Sequence, residues 1–350
     1  MNNDSKQPPW THGDPWFEDG NIILMPESGS KHSSEAQVAF KVHRGMLARH
    51  SEIFQSMFDI PQPANALGET LEGSQVVRMH DLPVELSNLI KALYDGASFK
   101  TLNLDDFYYL AGILRLSTKY AIDHLRHQAI KHLTSTWSYT LRGHDVMVEL
   151  ALNSPVVDDT TYPYVHPIHV INLAMETNVR IVVPSAMYFL SLYLMDDILR
   201  GDHPKLIVDH PSRPSSQLRD ADVQAYTLMF QHRLNIILDF LRKTVGGREA
   251  DESICRNNQK PCTRGFNRLS ARLSRSWQAR TGPFQFMVQA NQEIASDETI
   301  CRPCRVSFKE DVSLLRGKLW DELPAIIHYP GWDNMVAEDL PIIHAITRLP

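Results

Sequence analysis

Cysteine is scarce in this sequence, with four in 350 residues. That is too few for a disulfide-stapled scaffold. No uninterrupted apolar run reaches the roughly 18 residues of a membrane-spanning helix, so no membrane insertion is expected. The start, Met1 to Trp16, is polar and proline-containing and lacks the apolar centre of a secretory signal. A reducing, intracellular location, cytoplasmic or nuclear, is therefore expected. An excess of basic charge is missing too: 35 Lys and Arg face 41 Asp and Glu, for a formal net charge of -6. A broad nucleic-acid or anionic-membrane surface needs clustered Lys and Arg, so neither partner is expected. No repeat of 20–50 residues appears, which disfavours a solenoid or propeller. Finally, GxSxG, HExxH, GxxxxGK[ST] and GxGxxG are all absent. No catalytic residue is expected, and the chain reads as not an enzyme.

What is present is ample core material, 43% hydrophobic residues, in a chain long enough for two domains of about 150 residues. Residues 1–16 read as a disordered lead, being rich in Asn, Gln, Pro and Gly. Asn21–Met25 is a short apolar run between Gly20 and Pro26, and Gln37–Val42 alternates polar and apolar. Both are strand signals, joined as a hairpin by a long polar loop. Arg44–Ala48 opens a helix. Ser51 caps a second, with Ile53, Phe54, Met57 and Phe58 at helical spacing. Gln75–Met79 is a third strand. Asp81-Leu82-Pro83 opens a helix that ends at Tyr94-Asp95-Gly96. Helices starting at Leu104 and spanning Lys119–Leu133 complete an N-terminal unit over 17–135.

The remainder is mainly helical. Helices are predicted over Asp145–Leu152, Ile168–Thr177, Pro184–Leu199 and Ala221–Lys243, the last stopped by Gly246 and Gly247. This gives a helical domain over 140–245. A cysteine-containing region with helices, one near Val312–Leu323, follows over 246–350. The fold class is α+β: a small sheet with helical hairpins, then a mainly α-helical C-terminal domain.

The N-terminal unit resembles the BTB/POZ family. The resemblance rests on Asp19-Gly20-Asn21-Ile22-Ile23-Leu24, on Phe40-Lys41-Val42-His43-Arg44 through Leu47, Ser51 and Phe54, and on Tyr94 with Gly96. Leu110 to Leu125, with Leu114, Lys119 and Tyr120, continues it. Asp95 departs from the family's usual Thr. The match covers about one third of the chain. Trp16–Asn21 and the style of the second half are most similar to BTB proteins of mushroom-forming fungi. The resemblance implies a protein–protein interaction module that homodimerises through its BTB face and serves as an adaptor. It also implies a narrower role, substrate adaptor of a cullin-based ubiquitin ligase, with a cullin as partner; the alternative, transcriptional or chromatin co-regulator, is hinted at only by the Arg-rich segment around Trp277. It places Asp19 and Arg44 near a dimer-facing pocket, with His43 beside them. Read from the residues alone, His43 bonds a backbone carbonyl at the strand–helix junction, and Phe54, Met57 and Phe58 are core.

One constellation outside that unit has a metal-ligand pattern. Cys301-Arg302-Pro303-Cys304 has the spacing that lets two thiolates reach one ion. Cys255 and Cys262, with six residues between them, are looser than the usual two to four. Together they have the ligand count of a structural zinc site, zinc being the only cofactor considered. Four thiolates would leave no open position for catalysis. The alternative is four ordinary thiols. His166 and His169 read as solvated residues at a helix start rather than as metal ligands with Asp158 and Asp159. Asp105, Asp106, Asp196 and Asp197 read as helix N-terminal or surface charges. Arg264, Arg268, Arg272 and Arg275 share one helical face near Trp277 and Arg280. They read as a charged face, with an acidic partner or RNA as the alternative.

Overall fold

A run such as Ile22–Met25 has no polar residue to turn toward water, so both faces of its strand must be covered. The structure, a computed structural model, describes residues 10–26, 36–60 and 69–341 and bears this out. Strands β1 (Trp10–His12), β2 (Ile22–Pro26) and β3 (Gln37–Val42) precede helices α1 (Arg44–His50) and α2 (Glu52–Asp59). Then come β4 (Thr70–Leu71), β5 (Ser74–Met79), α3 (Pro83–Asp95), α4 (Leu104–Lys119) and α5 (Asp123–Thr136). The sheet order is β1-β3-β2-β5-β4. β2 runs antiparallel to β3, Ile23 opposite Lys41, and parallel to β5, Ile23 opposite Val76. The parallel pair needs a crossover, and α1 and α2 lie within it. Ile22 and Leu24 face the helices, with Phe40, Val42, Leu47, Phe54, Leu89 and Ile113. Ile23 and Met25 face the other way, under Trp10 and Trp16.

That aromatic cover corrects the disordered lead expected over 1–16. Trp10–His12 pairs in parallel with Gln37–Ala39, and the Gly13 N–H donates to the Ala39 carbonyl. His12 stacks on Trp16 at 3.7 Å. The two tryptophans bury the outer face of β2, which the polar residues around them do not suggest. Residues 1–9 lie outside the described residues, as does the polar loop between β2 and β3 at 27–35.

The chain divides into two compact units. The first runs to Leu133 and includes Met175–Asn178 and Val208–Pro214. Arg115 gathers these segments. It donates to the buried carboxylate of Glu85 (2.8 Å), to Glu176 (2.7 Å) and to the Ser212 carbonyl (2.8 Å). Charge-assisted bonds to three separate stretches fix them as one body.

The second unit is helical: α6 (Leu141–Asn153), α7 (Pro167–Glu176, up to Ala174), α8 (Val183–Leu190), α9 (Met195–Arg200) and α10 (Asp220–Asp239). A π-helical turn, Phe240–Gly246, extends α10, and α11 (Lys260–Ser276), α12 (Pro283–Ala295), α13 (Arg302–Ile326) and α14 (Trp332–Asp339) follow. The helix expected over Pro184–Leu199 is two helices. Ser191 donates its hydroxyl to the Tyr188 carbonyl (2.6 Å) and closes α8, a local bond that competes with helix continuation. The boundary expected at 245/246 is absent. Ile236, Phe240 and Val245 share one core with Phe266, Leu269, Met287, Phe308 and Val312, so 140–245 and 246–350 are not separate domains. Among the described residues no helix is long and apolar enough to cross a membrane.

Candidate functional site

In the first unit, the strand–helix junction at His43 carries the expected interface residues. The His43 backbone N–H donates to the Tyr94 hydroxyl (3.0 Å). The hydroxyl in turn faces ring Nδ1 at 2.9 Å, and Nε2 lies 3.2 Å from the Asp19 carboxylate. The Tyr94 hydroxyl accepts from the backbone N–H and Nε2–H donates to Asp19, while the Tyr94–Nδ1 bond takes the direction that the protonation of the ring sets. The His43 hydrogen bond holds the exposed Asp19 carboxyl below its ordinary range. Burial raises the Tyr94 hydroxyl above its own. Phe17 stacks on Tyr94 at 4.4 Å and closes the cluster. The expected backbone-carbonyl partner of His43 is thus replaced by a phenol and a carboxylate. Tyr94, quoted in the sequence only as a family match, supplies that phenol.

Arg44 points elsewhere. Its backbone N–H donates to the Asn21 side chain (2.8 Å). Its guanidinium donates to the Phe58 carbonyl at the end of α2 and lies 4.9 Å from the Phe58 ring. A cation at a helix C-terminus is favourably placed. Asp19 and His43 therefore meet, and Arg44 braces α2 instead of joining them.

On α2, Phe54 is fully buried, while Met57 and Phe58 pack half-buried against the core. Ile53 is 47% exposed and Ile60 61%. Ile53, Met57 and Ile60 are spaced four and three apart, so they form one apolar stripe at the edge of the buried face. Helical spacing groups Ile53 with Phe54, Met57 and Phe58 but does not tell a wide core face from a core face plus an uncovered strip.

In the second unit, all four cysteines meet. Their sulfurs lie within 4.8 Å of one another, and among the described residues they are the one group of three or more Cys, His, Asp or Glu side chains that could hold a metal ion. Cys262, Cys301 and Cys304 are buried and Cys255 is half-buried. Cys262 sits in the first turn of α11, after Lys260-Pro261, and Cys304 in the first turn of α13, after Arg302-Pro303. Cys301 is the N-cap of α13. Backbone N–H groups point at the sulfurs: Arg256 at Cys301 (3.5 Å), Asn257 at Cys255 (3.5 Å) and Cys301 at Cys262 (3.3 Å). Burial opposes a charged Cys301, but the N–H groups of Arg256 and Cys304 and the neighbouring thiols outweigh it and lower that thiol to about 7. Burial raises Cys262 and Cys304. Four soft donors at this separation match the demands of a tetrahedral thiophilic ion.

Two other candidates resolve differently. His166 and His169 are buried, not solvated. The Ile168 N–H donates to His166 Nδ1 (3.2 Å), and His169 Nε2 meets the Ser216 hydroxyl (3.1 Å). Residues 167–174 of the apolar helix α7 are all buried, which carries His169 inward, and His166 is buried just before the helix. Two of the four arginines in the row are engaged within the unit: Arg268 donates to Thr299 and Arg272 pairs with Glu293 at 3.3 Å; nearby Arg280 pairs with Asp197. That favours the charged-face reading over an acidic partner or RNA.

Residues 33–136 match the family model of the BTB/POZ domain. No curated protein and no solved structure matches the chain.

Proposed function

We propose, since this chain contains a BTB/POZ domain, that it works by self-association through that domain and acts as an adaptor presenting its helical unit to other proteins. BTB domains are protein–protein interaction modules and not catalytic ones. The observation that carries the reading is the stripe Ile53–Met57–Ile60, in which Ile53 and Ile60 stay exposed to water and Met57 is half-buried between them. Burying it against a second copy recovers about 25 cal/mol per Å² of apolar area. A stable dimer needs about 800 Å² per partner, so the stripe would be the apolar centre of a wider patch. A cullin is the narrower partner implied by the family resemblance, and it is the competing occupant in the test.

Light scattering and sedimentation on the purified full chain, at tens of micromolar, decide the matter. The wild type is expected to be a dimer. Ile53→Asp combined with Ile60→Asp is expected to give a folded monomer with an unchanged circular dichroism spectrum. A strictly monomeric wild type overturns self-association. A one-to-one complex with an added cullin, formed by that monomer and lost in the variant, would assign the stripe to the ligase instead.

A further inference from the structure

We propose that Cys255, Cys262, Cys301 and Cys304 are a structural zinc site that ties the start of α11 to the start of α13. The chain has four cysteines, and all four sulfurs converge within 4.8 Å although they come from separate stretches of the second unit. A zinc–sulfur bond of about 2.3 Å sets the edge of the thiolate tetrahedron at about 3.8 Å. Cys255 and Cys262 already stand 3.7 Å apart. Closing the widest pair onto an ion needs only about 1 Å of movement. A polynuclear iron–sulfur cluster would hold its thiolates farther apart than these.

The surroundings suit the charge that results. Binding converts four thiols to thiolates around one Zn²⁺ and releases four protons, leaving a net charge of two minus on the centre. Two helix N-termini flank the sulfurs, those of α11 and α13, each contributing roughly half a positive charge. Lys260 and Arg302 open those helices, and in each the next residue is a proline that gives up no needed N–H. The N–H···S contacts supply the second layer of support that orients metal-bound thiolates. Four protein ligands fill a tetrahedral shell, so the role is structural. Half-buried Cys255 leaves a route for the ion to arrive. The cluster lies at the end of the core built on Phe266, Ile300 and Phe308, which locates the stabilisation in the second unit.

The test uses the full chain, purified without chelator. Elemental analysis is expected to find one zinc per chain, and native mass spectrometry to find the zinc adduct lighter by the displaced protons. Replacing zinc with Co²⁺ should produce the intense visible bands of a tetrahedral thiolate centre. Cys262→Ser and Cys304→Ser should each lose those bands, while Cys304→His should keep a tetrahedral spectrum with a shifted maximum. A strong chelator should lower the unfolding temperature of the wild type and leave that of Cys304→Ser unmoved. Any one of three results on the wild type overturns the proposal: less than a tenth of an equivalent of zinc after equilibration with the ion, iron in its place, or disulfides between the cysteines under reducing purification. None of these depends on how well a variant folds.

Discussion

Asp81 is a buried carboxylate in the first unit, and two neighbouring residues of α4's end hold it. Lys119 donates to one oxygen at 2.6 Å, and the Tyr120 hydroxyl donates to the other. The Tyr120 ring stacks on Phe54 at 4.5 Å, and its carbonyl accepts from Ser51, the N-cap of α2 (2.5 Å). Burial, reinforced by the Asp81 carboxylate, raises the Tyr120 hydroxyl far above its ordinary range, so it stays a donor. One residue thus ties the end of α4 to α2 through its ring and backbone carbonyl, and to Asp81 through its hydroxyl. Tyr120→Phe keeps the stack and removes one donor from a buried acceptor. We expect it to destabilise the unit by about 1–3 kcal/mol, the usual penalty for orphaning such a group. Urea unfolding followed by circular dichroism measures this. An unchanged midpoint would mean that Lys119 alone satisfies Asp81. Lys119 and Tyr120 were legible as a family pattern, but Asp81 as their shared partner was not, because the pairing spans 38 and 39 residues of chain.

At the scale of elements, the fit of α11 against the loop before α13 turns on Gly265. A Cβ there would lie 2.3 Å from Ile300 Cγ1 and 2.8 Å from its Cδ1. Ile300 is itself 1% exposed and has nowhere to retreat. In an exposed helix, Gly→Ala gains about 1 kcal/mol. Here the overlap dominates, and Gly265→Ala is expected to destabilise the second unit by roughly 1–3 kcal/mol. A denaturant midpoint equal to or above that of the wild type would show that α11 can shift without loss. The same region shows what sequence pattern can and cannot reveal. The arginine spacing marked one face of α11, and the cysteine count marked a ligand set. The wide Cys255–Cys262 interval looked unfavourable because spacing rules assume a tight knuckle. Here Asn258 and Gln259 both adopt positive φ, 49° and 59°, and turn the chain back into α11. Strands β2, β3 and β5 were legible because burial imprints itself on apolar patterning. β1 was not, because three residues with a polar flank carry no periodicity, and its tryptophans act through a sheet formed later in the chain.

Across the whole molecule, buried imidazoles set a common response to acid. His144 lies among Tyr188, Phe189, Phe284 and Trp320, with ring centroids 4.8–5.5 Å away. Burial, with the Arg316 charge adding to it, lowers its pKa to about 3. Arg316 is paired with Asp145 at 2.6 Å, and burial keeps the Tyr188 hydroxyl protonated, so no facing group offsets the shift. His166 is lowered too, by burial and then by His203, His169 and Lys205. His50, His124, His203, His210 and His232 shift in the same direction. In each case the unfolded chain, with a histidine pKa near 6.5, binds protons that the folded chain refuses. Stability is therefore full above about pH 6.5 and falls as pH drops below it. Between about pH 5 and 6.5 the unfolded carboxylates are still mostly ionised, so the histidines dominate that window. Among the described residues His144 Nδ1 has no hydrogen-bond partner, so His144→Leu should change stability at pH 7.5 by less than about 1 kcal/mol. At pH 5, 1.5 units below the unfolded value, it should make the chain more stable than the wild type by about 2 kcal/mol, from about 1.4 kcal/mol per unit. Urea midpoints at the two pH values measure the difference. Equal pH dependence in wild type and variant would mean that His144 protonates in place, and that the aromatic pocket opens before the fold does.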